Sequence, residues 1–141
     1  MAAATSEYLK PLPRPTPFSE PFWEGARQHK LLVQRCGSCG RFRWTPQLAC
    51  PWCLAEEYEW REASGRGTLY SFTVIHRPPD PVAFAGDVPY VLAVVELEEG
   101  PFMQTNLVGC PLEAIRIDMP VEVTFERATE EISLYKFRPA R

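Results

Sequence analysis

The chain has 141 residues, of which 45% are hydrophobic and 23% are charged, as is usual for a globular domain. Its net charge of −3 argues against a general nucleic-acid-binding protein. No apolar run approaches the roughly 18 to 20 residues of a membrane helix, and no signal peptide is visible, so we expect a cytoplasmic protein without a membrane segment.

The N-terminal part is predicted to form an extended arm followed by a short helix. Residues 1–17 are rich in Ala and Pro and include the run PLPRPTP, which favours an extended, polyproline-like conformation. Residues 18–30 are predicted to contain the helix, with Ser19 as its N-cap. Phe22 and Trp23 would share one face of this helix, and we expect them to pack on the next module rather than on another molecule.

Residues 31–63 are predicted to form a metal-binding module, because four of the five cysteines occur there as two C-x-x-C pairs. A gap of two residues lets both sulfurs of a pair face one side of a tight loop. Two such loops, carrying Cys36 with Cys39 and Cys50 with Cys53, can place four sulfurs about 2.3 Å from a zinc ion. In a reducing compartment this arrangement is favoured over disulfides. Strands are predicted at KLLVQRC and RFRWTP.

The predicted metal ion is structural, because four thiolates close its coordination shell and leave no position for water. Zinc is favoured, and iron in a rubredoxin-like role is the alternative, since the same ligands accept it. Gly40 follows the first pair and permits a left-handed backbone. Leu54 follows the second pair, so its loop is expected to be less relaxed. Cys110 stands alone and is predicted to be a small buried hydrophobic residue.

Residues 64–141 are predicted to form a five-stranded OB-fold barrel. A helical turn in CPLEAIRID falls between the third and fourth predicted strands, where this Greek-key topology places one. The second strand, YVLAVVELEE, is expected to be buried on both faces. A flat sheet or a sandwich is the alternative, since a strand count does not prove closure. The five strands are predicted in GTLYSFTVIHR, YVLAVVELEE, PFMQTNLVG, PVEVTFER and ISLYKFRP.

Charge is unevenly distributed along the chain. Residues 25–55 contain no Asp or Glu, whereas acidic residues dominate from Glu56 onward. The basic segment suits an anionic ligand or an acidic partner, and equally it would offset the negative charge of a metal–tetrathiolate site.

Taken in order, these motifs resemble a family of bacterial and archaeal proteins that join a rubredoxin-like zinc ribbon to an OB-fold domain. The family was long known only as a domain of unknown function. The resemblance covers nearly the whole chain from Phe18 and implies a mainly β fold: an N-terminal helical segment, a zinc ribbon with the four paired cysteines as ligands, and an OB barrel. The motifs are FWEGARQHKLLVQRCGSCGRFRWTPQLACPWC, EASGRGTLYSFTVIHRP, PYVLAVVELEEGPFMQTNLVG, MPVEVTFE and FRP.

The resemblance also implies a function. Family members accompany thiolase-superfamily enzymes, including aldolases of steroid side-chain degradation. A non-catalytic accessory subunit is therefore expected, in a hetero-oligomer with a thiolase-like or aldolase partner, helping to form or bridge an acyl-CoA site in steroid, lipid or aromatic degradation. Coenzyme A is a polyanion with an apolar tail, so basic residues should receive its phosphates and a crevice between ribbon and barrel its acyl chain. Contacts with acyl-CoA or the partner are predicted for Arg35, Arg41, Arg43, His76 and Arg77.

Two alternatives belong to other classes. OB barrels often bind single-stranded nucleic acid, but such barrels need a basic groove, and the strands after Thr68 are acidic. An independent thioester enzyme would need a catalytic set, and His76 before a loop is the best candidate for one. A lone histidine at a strand end is more often structural. The sequence shows no Ser–His–acid set and no glycine-rich phosphate loop.

Overall fold

The computed structural model describes residues 8–141, so the first seven residues of the predicted arm lie outside the described residues. No helix in that range is both long and apolar enough to cross a membrane. The elements of the described chain are α1 (Glu20–Arg27), β1 (Leu32–Cys36), β2 (Phe42–Arg43), β3 (Tyr58–Glu62), β4 (Arg66–Ile75), β5 (Tyr90–Leu97), β6 (Phe102–Leu107), a 3₁₀ turn (Leu112–Ala114), β7 (Pro120–Arg127) and β8 (Ser133–Pro139).

Helix α1 packs between the cysteine module and the barrel. Phe22 is fully buried, and its ring lies 4.4 Å from that of Trp44 and 5.5 Å from that of Tyr135 on β8. This is the internal packing that the sequence predicted. Ser19 is at the N-cap position as predicted, but its hydroxyl accepts the Thr16 N–H at 2.9 Å and makes no capping bond to the helix.

The cysteine module contains a three-stranded antiparallel sheet in the order β2-β1-β3. The sequence predicted β1 and β2 but not β3. Strand β3 reads YEWRE, and only Tyr58 and Trp60 are half-buried while the residues between and after them are exposed. Strand β3 is a short edge strand, and one of its faces is exposed to solvent. It can therefore carry three charged residues.

Strands β4 to β8 close into a barrel in the order β4-β5-β6-β8-β7. Closure depends on one parallel pairing between β6 and β8, where Leu107 lies opposite Phe137. The 3₁₀ turn lies between β6 and β7, the third and fourth barrel strands. The prediction of an OB fold is confirmed, and the flat sheet and the sandwich are excluded.

The barrel core is built from alternating residues of its strands. On β5, Val91, Ala93, Val95 and Leu97 are buried, while the residues between them are half-buried or exposed. The expectation that this strand is buried on both faces was therefore wrong, because one face of a barrel strand points outward. Gly67 allows β4 to approach β5 closely, since a Cβ there would lie 2.4 Å from the Glu96 carbonyl oxygen.

Residues 8–17, the described part of the N-terminal arm, run beside the outer surface of the barrel. Lys10 forms an ion pair with Asp87 at 2.8 Å. Together with Leu92 and Gln104, outward-facing residues of β5 and β6, the arm lines a cavity of about 400 Å³. The arm thus lies against the strands on which OB folds commonly bind oligonucleotides.

Candidate metal centre and ribbon–barrel cleft

Two loops of matching geometry hold the four paired cysteines. The Gly40 N–H donates to the Cys36 carbonyl at 3.1 Å, and the Leu54 N–H donates to the Cys50 carbonyl at 2.9 Å. Both residues have a left-handed backbone, with φ of 77° at Gly40 and 64° at Leu54. A residue with a side chain pays for that conformation, so the second loop carries strain that the first avoids.

The sulfurs of the four paired cysteines lie close together, as predicted for a metal centre. The Sγ atoms of Cys36 and Cys53 are 3.6 Å apart, and those of Cys39 and Cys50 are 3.7 Å apart. All four sulfurs lie within 4.8 Å of one another. A tetrahedron with metal–sulfur bonds of about 2.3 Å has edges of about 3.8 Å. The arrangement therefore fits one tetrahedral ion, and it is the only such cluster among residues 8–141.

Backbone N–H groups prepare these sulfurs to carry negative charge. The N–H groups of Cys39 and Ser38 donate to the Cys36 Sγ at 3.4 Å and lower the pKa of that thiol to about 6. At Cys39 the Arg41 N–H lowers the pKa, but burial and the neighbouring thiols outweigh it and raise the pKa to about 11. Four thiolates this close together repel one another, and a divalent ion at their centre would stabilise them.

Two of the arginines predicted to contact acyl-CoA or a partner have structural roles. The Arg35 Nε donates to the Gly40 carbonyl at 3.1 Å and so braces the first cysteine loop. Arg43 is 1% exposed and donates to Gln34 Oε1 and to the Gln47 carbonyl at 2.8 and 2.9 Å. The Arg43 guanidinium thus stabilises the interior of the ribbon, and its contact with acyl-CoA or a partner stays a prediction.

The other predicted contact residues lie far apart. Arg41 is exposed beside the first cysteine loop, with its guanidinium 5.3 Å from the Trp52 ring centre. His76 and Arg77 are exposed just after β4, where Ile75 pairs with the first residue of β5. Because Arg41 lies near the other end of β5, about 20 Å of strand separates the two groups. The structure does not bring them into one site, and their roles stay predictions.

Between the ribbon and the barrel lies a cavity of about 470 Å³, which we call the ribbon–barrel cleft. The sequence predicted a crevice here but not its lining. Aromatic rings dominate the walls, and Trp52 and Phe102 are 53% and 47% exposed. A tryptophan inside a cysteine loop was the signal that could have located the cleft. The lining residues are Gly40, Arg41, Phe42, Arg43, Trp44, Trp52, Glu99, Gly100, Pro101 and Phe102.

Cys110 is half-buried, not fully buried as predicted. Its Sγ lies 3.4 Å from the Pro111 carbonyl oxygen. It lines a second cavity, of about 630 Å³, near the arm and away from the four paired cysteines. No metal-binding partner surrounds it in the part of the chain that the structure describes.

Known proteins resemble this chain in sequence and in fold. A probable enoyl-CoA hydratase alpha subunit from Thermomonospora curvata is 44% identical over 120 residues, which cover 84% of this chain but only 37% of that protein. A DUF35 domain-containing scaffold protein from Methanocaldococcus jannaschii is 34% identical, with 83% of this chain and 87% of that protein covered. A benzoylsuccinyl-CoA thiolase subunit, BbsA, from Thauera aromatica is 32% identical, with 77% and 75% covered.

The same similarity extends to solved structures and to family descriptions. A chain of the Ltp2-ChsH2(DUF35) aldolase superposes with a TM-score of 0.81 at 40% identity, covering 92% of this chain and all of that one. Residues 23–59 match the ChsH2 rubredoxin-like zinc ribbon domain, and residues 60–126 match the ChsH2 C-terminal OB-fold domain. This chain therefore belongs to the DUF35 family of ChsH2-type zinc-ribbon and OB-fold proteins.

Proposed function

We propose that this chain is a non-catalytic, zinc-containing accessory subunit that docks on a thiolase-like or aldolase protein and helps to form its acyl-CoA site. The observation that carries the proposal is the 40% identity to the DUF35 chain of an aldolase, over that chain's whole length. The thiolase subunit BbsA supports the same class of partner. Since the chain spans about a third of the hydratase alpha subunit, that protein's activity is not carried over.

Cys36, Cys39, Cys50 and Cys53 are the proposed ligands of a structural zinc ion. The sulfur distances support tetrahedral coordination, and four protein ligands leave no position at which water or substrate could bind. Zinc bound here would fix the two loops relative to each other and supply part of the folding free energy of the ribbon. Ligands of this kind persist as thiolates in a reducing compartment, which supports the cytoplasmic setting expected from the sequence.

A non-catalytic role is supported by where the two histidines lie. The His29 ring stacks on Phe125, with 5.4 Å between the ring centres. His76 is exposed at a strand end, and no hydrogen bond joins it to a described acidic or nucleophilic side chain. A histidine in a catalytic dyad or triad is held against an acidic or nucleophilic side chain, and neither histidine makes such a hydrogen bond within residues 8–141.

The metal is tested by native mass spectrometry and elemental analysis of the purified chain. We expect one zinc ion per chain and a colourless protein, whereas a red protein with visible absorption would identify iron. Cys36→Ser should abolish metal binding and Cys110→Ser should not. Retention of the ion by the Cys36→Ser variant would contradict the proposed ligand set.

The partner is tested by affinity capture of the tagged chain from its native cells, followed by reconstitution with the captured protein. We expect a thiolase-like or aldolase protein in a fixed ratio, with acyl-CoA turnover by the complex and none by this chain alone. Turnover by the isolated chain that is lost in His76→Ala would establish an enzyme instead. Repeated recovery of RNA, or of no partner, would contradict the proposal.

A further inference from the structure

The ribbon–barrel cleft combines flat aromatic walls with charged groups in a way that defines its ligand. Its volume of about 470 Å³ lies within the range of roughly 300 to 1,000 Å³ that is typical of small-molecule sites. Trp52 and Phe102 present rings that are about half exposed, and the Arg41 guanidinium lies over Trp52. Such rings, together with an arginine, form the kind of surface on which a nucleobase stacks.

Two side chains in the wall each hold a buried polar atom that lacks a partner. One oxygen of Glu99 accepts the Ser64 N–H at 2.8 Å, while its Oε1 accepts no hydrogen bond from any residue that the structure describes. Arg43 uses Nε and Nη2 within the ribbon, and its Nη1 is likewise unpaired. Buried polar groups normally have partners, so a ligand here should both donate and accept hydrogen bonds.

An acyl chain, which the sequence led us to expect in this crevice, satisfies neither atom. A purine with an exocyclic amine does satisfy both requirements, because the amine donates and the ring nitrogens accept. The charged residues of the cleft are Arg41, Arg43 and Glu99, so cations outnumber the single acid. That balance suits a base that carries phosphate.

From these features we infer that the ribbon–barrel cleft binds the 3′-phosphorylated adenosine part of coenzyme A, with the adenine against Trp52 and Phe102 and a phosphate near Arg41. The inference rests on the proposed function, which supplies coenzyme A as the substrate class. This chain then holds the nucleotide end of the thioester, and the acyl group extends toward the partner.

The test uses the zinc-loaded full chain and isothermal titration with adenosine 3′,5′-bisphosphate, the nucleotide part of coenzyme A. We expect saturable binding of one molecule per chain that pantetheine does not compete away. Trp52→Ala and Arg41→Ala should each weaken binding at least tenfold. Leu54→Ala is the matched control, because Leu54 is exposed close to Trp52 but does not line the cleft, and it should leave binding unchanged.

A second measurement separates recognition of the base from a change in folding. Glu99→Gln replaces a carboxylate, which only accepts hydrogen bonds, by an amide that also donates. The inosine analogue carries an accepting oxygen where adenosine has its exocyclic amine. The variant should therefore show a smaller preference for adenosine 3′,5′-bisphosphate over that analogue. The zinc content of every variant is checked first. An unchanged preference, competition by pantetheine, or no binding at millimolar bisphosphate would each overturn the inference. If the chain captures its partner but does not bind the bisphosphate, the proposed function stands and only this inference fails.

Discussion

Most buried side chains of the barrel are apolar, whereas those of the zinc ribbon include an arginine, a glutamine and two cysteines. The barrel can fold by removing Leu69, Val95, Met103 and Phe137 from water. The ribbon has few such residues and holds Arg43 through polar contacts that are made only when its strands are already in place. One chain thus contains a part that burial can stabilise and a part that we expect to depend on a bound ion.

Removing the metal tests most directly whether the ribbon, unlike the barrel, depends on a bound ion. Cys39→Ser, or chelation of the wild-type chain, should remove a contribution on the order of 10 kcal/mol and unfold the ribbon. Hydrogen exchange should then be fast for amides of residues 32–62 and remain slow for residues 66–139. Cys110→Ser is the control and should exchange like wild type. Protection of the ribbon in metal-free protein would contradict the dependence.

Truncation in the barrel core should have the reverse pattern. Phe137 is fully buried on β8, so Phe137→Ala should lower the free energy of unfolding by about 3–5 kcal/mol while zinc affinity changes little. Phe102→Ala, on the exposed side of β6, should lower it by less than about 1 kcal/mol. Chemical denaturation with metal content measured in parallel checks both variants. A large loss of zinc affinity in Phe137→Ala would show that the two regions fold as one unit.

The contact between the two regions is tested at Phe22. Its ring touches Trp44 near the ribbon and Tyr135 on the barrel, so Phe22→Leu should cost about 1 kcal/mol in the zinc-bound chain. The cost should shrink once zinc is removed, because the Trp44 contact is lost with the ribbon, and part should remain through Tyr135. A cost that is equal with and without zinc would mean that Trp44 does not depend on the folded ribbon.

The smallest expected effect concerns the two cysteine loops. Leu54→Gly should relieve the left-handed strain, but it also makes the unfolded chain more flexible, so a net stabilisation below about 1 kcal/mol is expected. Gly40→Ala is the matched change in the other loop and should destabilise by about 1 kcal/mol. Zinc competition titrations that give both variants the same sign would contradict this account.

The sequence predicted the parts of the molecule that depend on local spacing. The two C-x-x-C pairs predicted the sulfur cluster, and the turn between the third and fourth barrel strands pointed to the OB topology. The face on which each β4 side chain lies was harder to predict, because an irregularity between Leu69 and Ser71 shifts the register against β5. A bulge of this kind changes which face a side chain occupies and leaves little trace in a single sequence.

Properties that arise only from the packing of distant segments could not be predicted. Arg43 looks like any basic surface residue until Gln34 and Gln47 surround it. The ribbon–barrel cleft brings together Trp52 and Phe102, which are fifty positions apart in the sequence. Nothing in the sequence around either residue predicts that they lie close together. His76 and Arg41 show the same limit. Both are basic residues, but they lie in different parts of the molecule.

The arm beside β5 and β6 has a consequence for any molecule that approaches those strands. Because the arm is tethered to the barrel and anchored through Lys10 to Asp87, its local concentration at this surface is of millimolar order. An oligonucleotide or peptide therefore has to compete with the arm, through a higher concentration or a higher affinity, before it binds these strands. The outer face around Leu92 and Gln104 is therefore covered by the arm, and a partner that binds there has to displace this segment first.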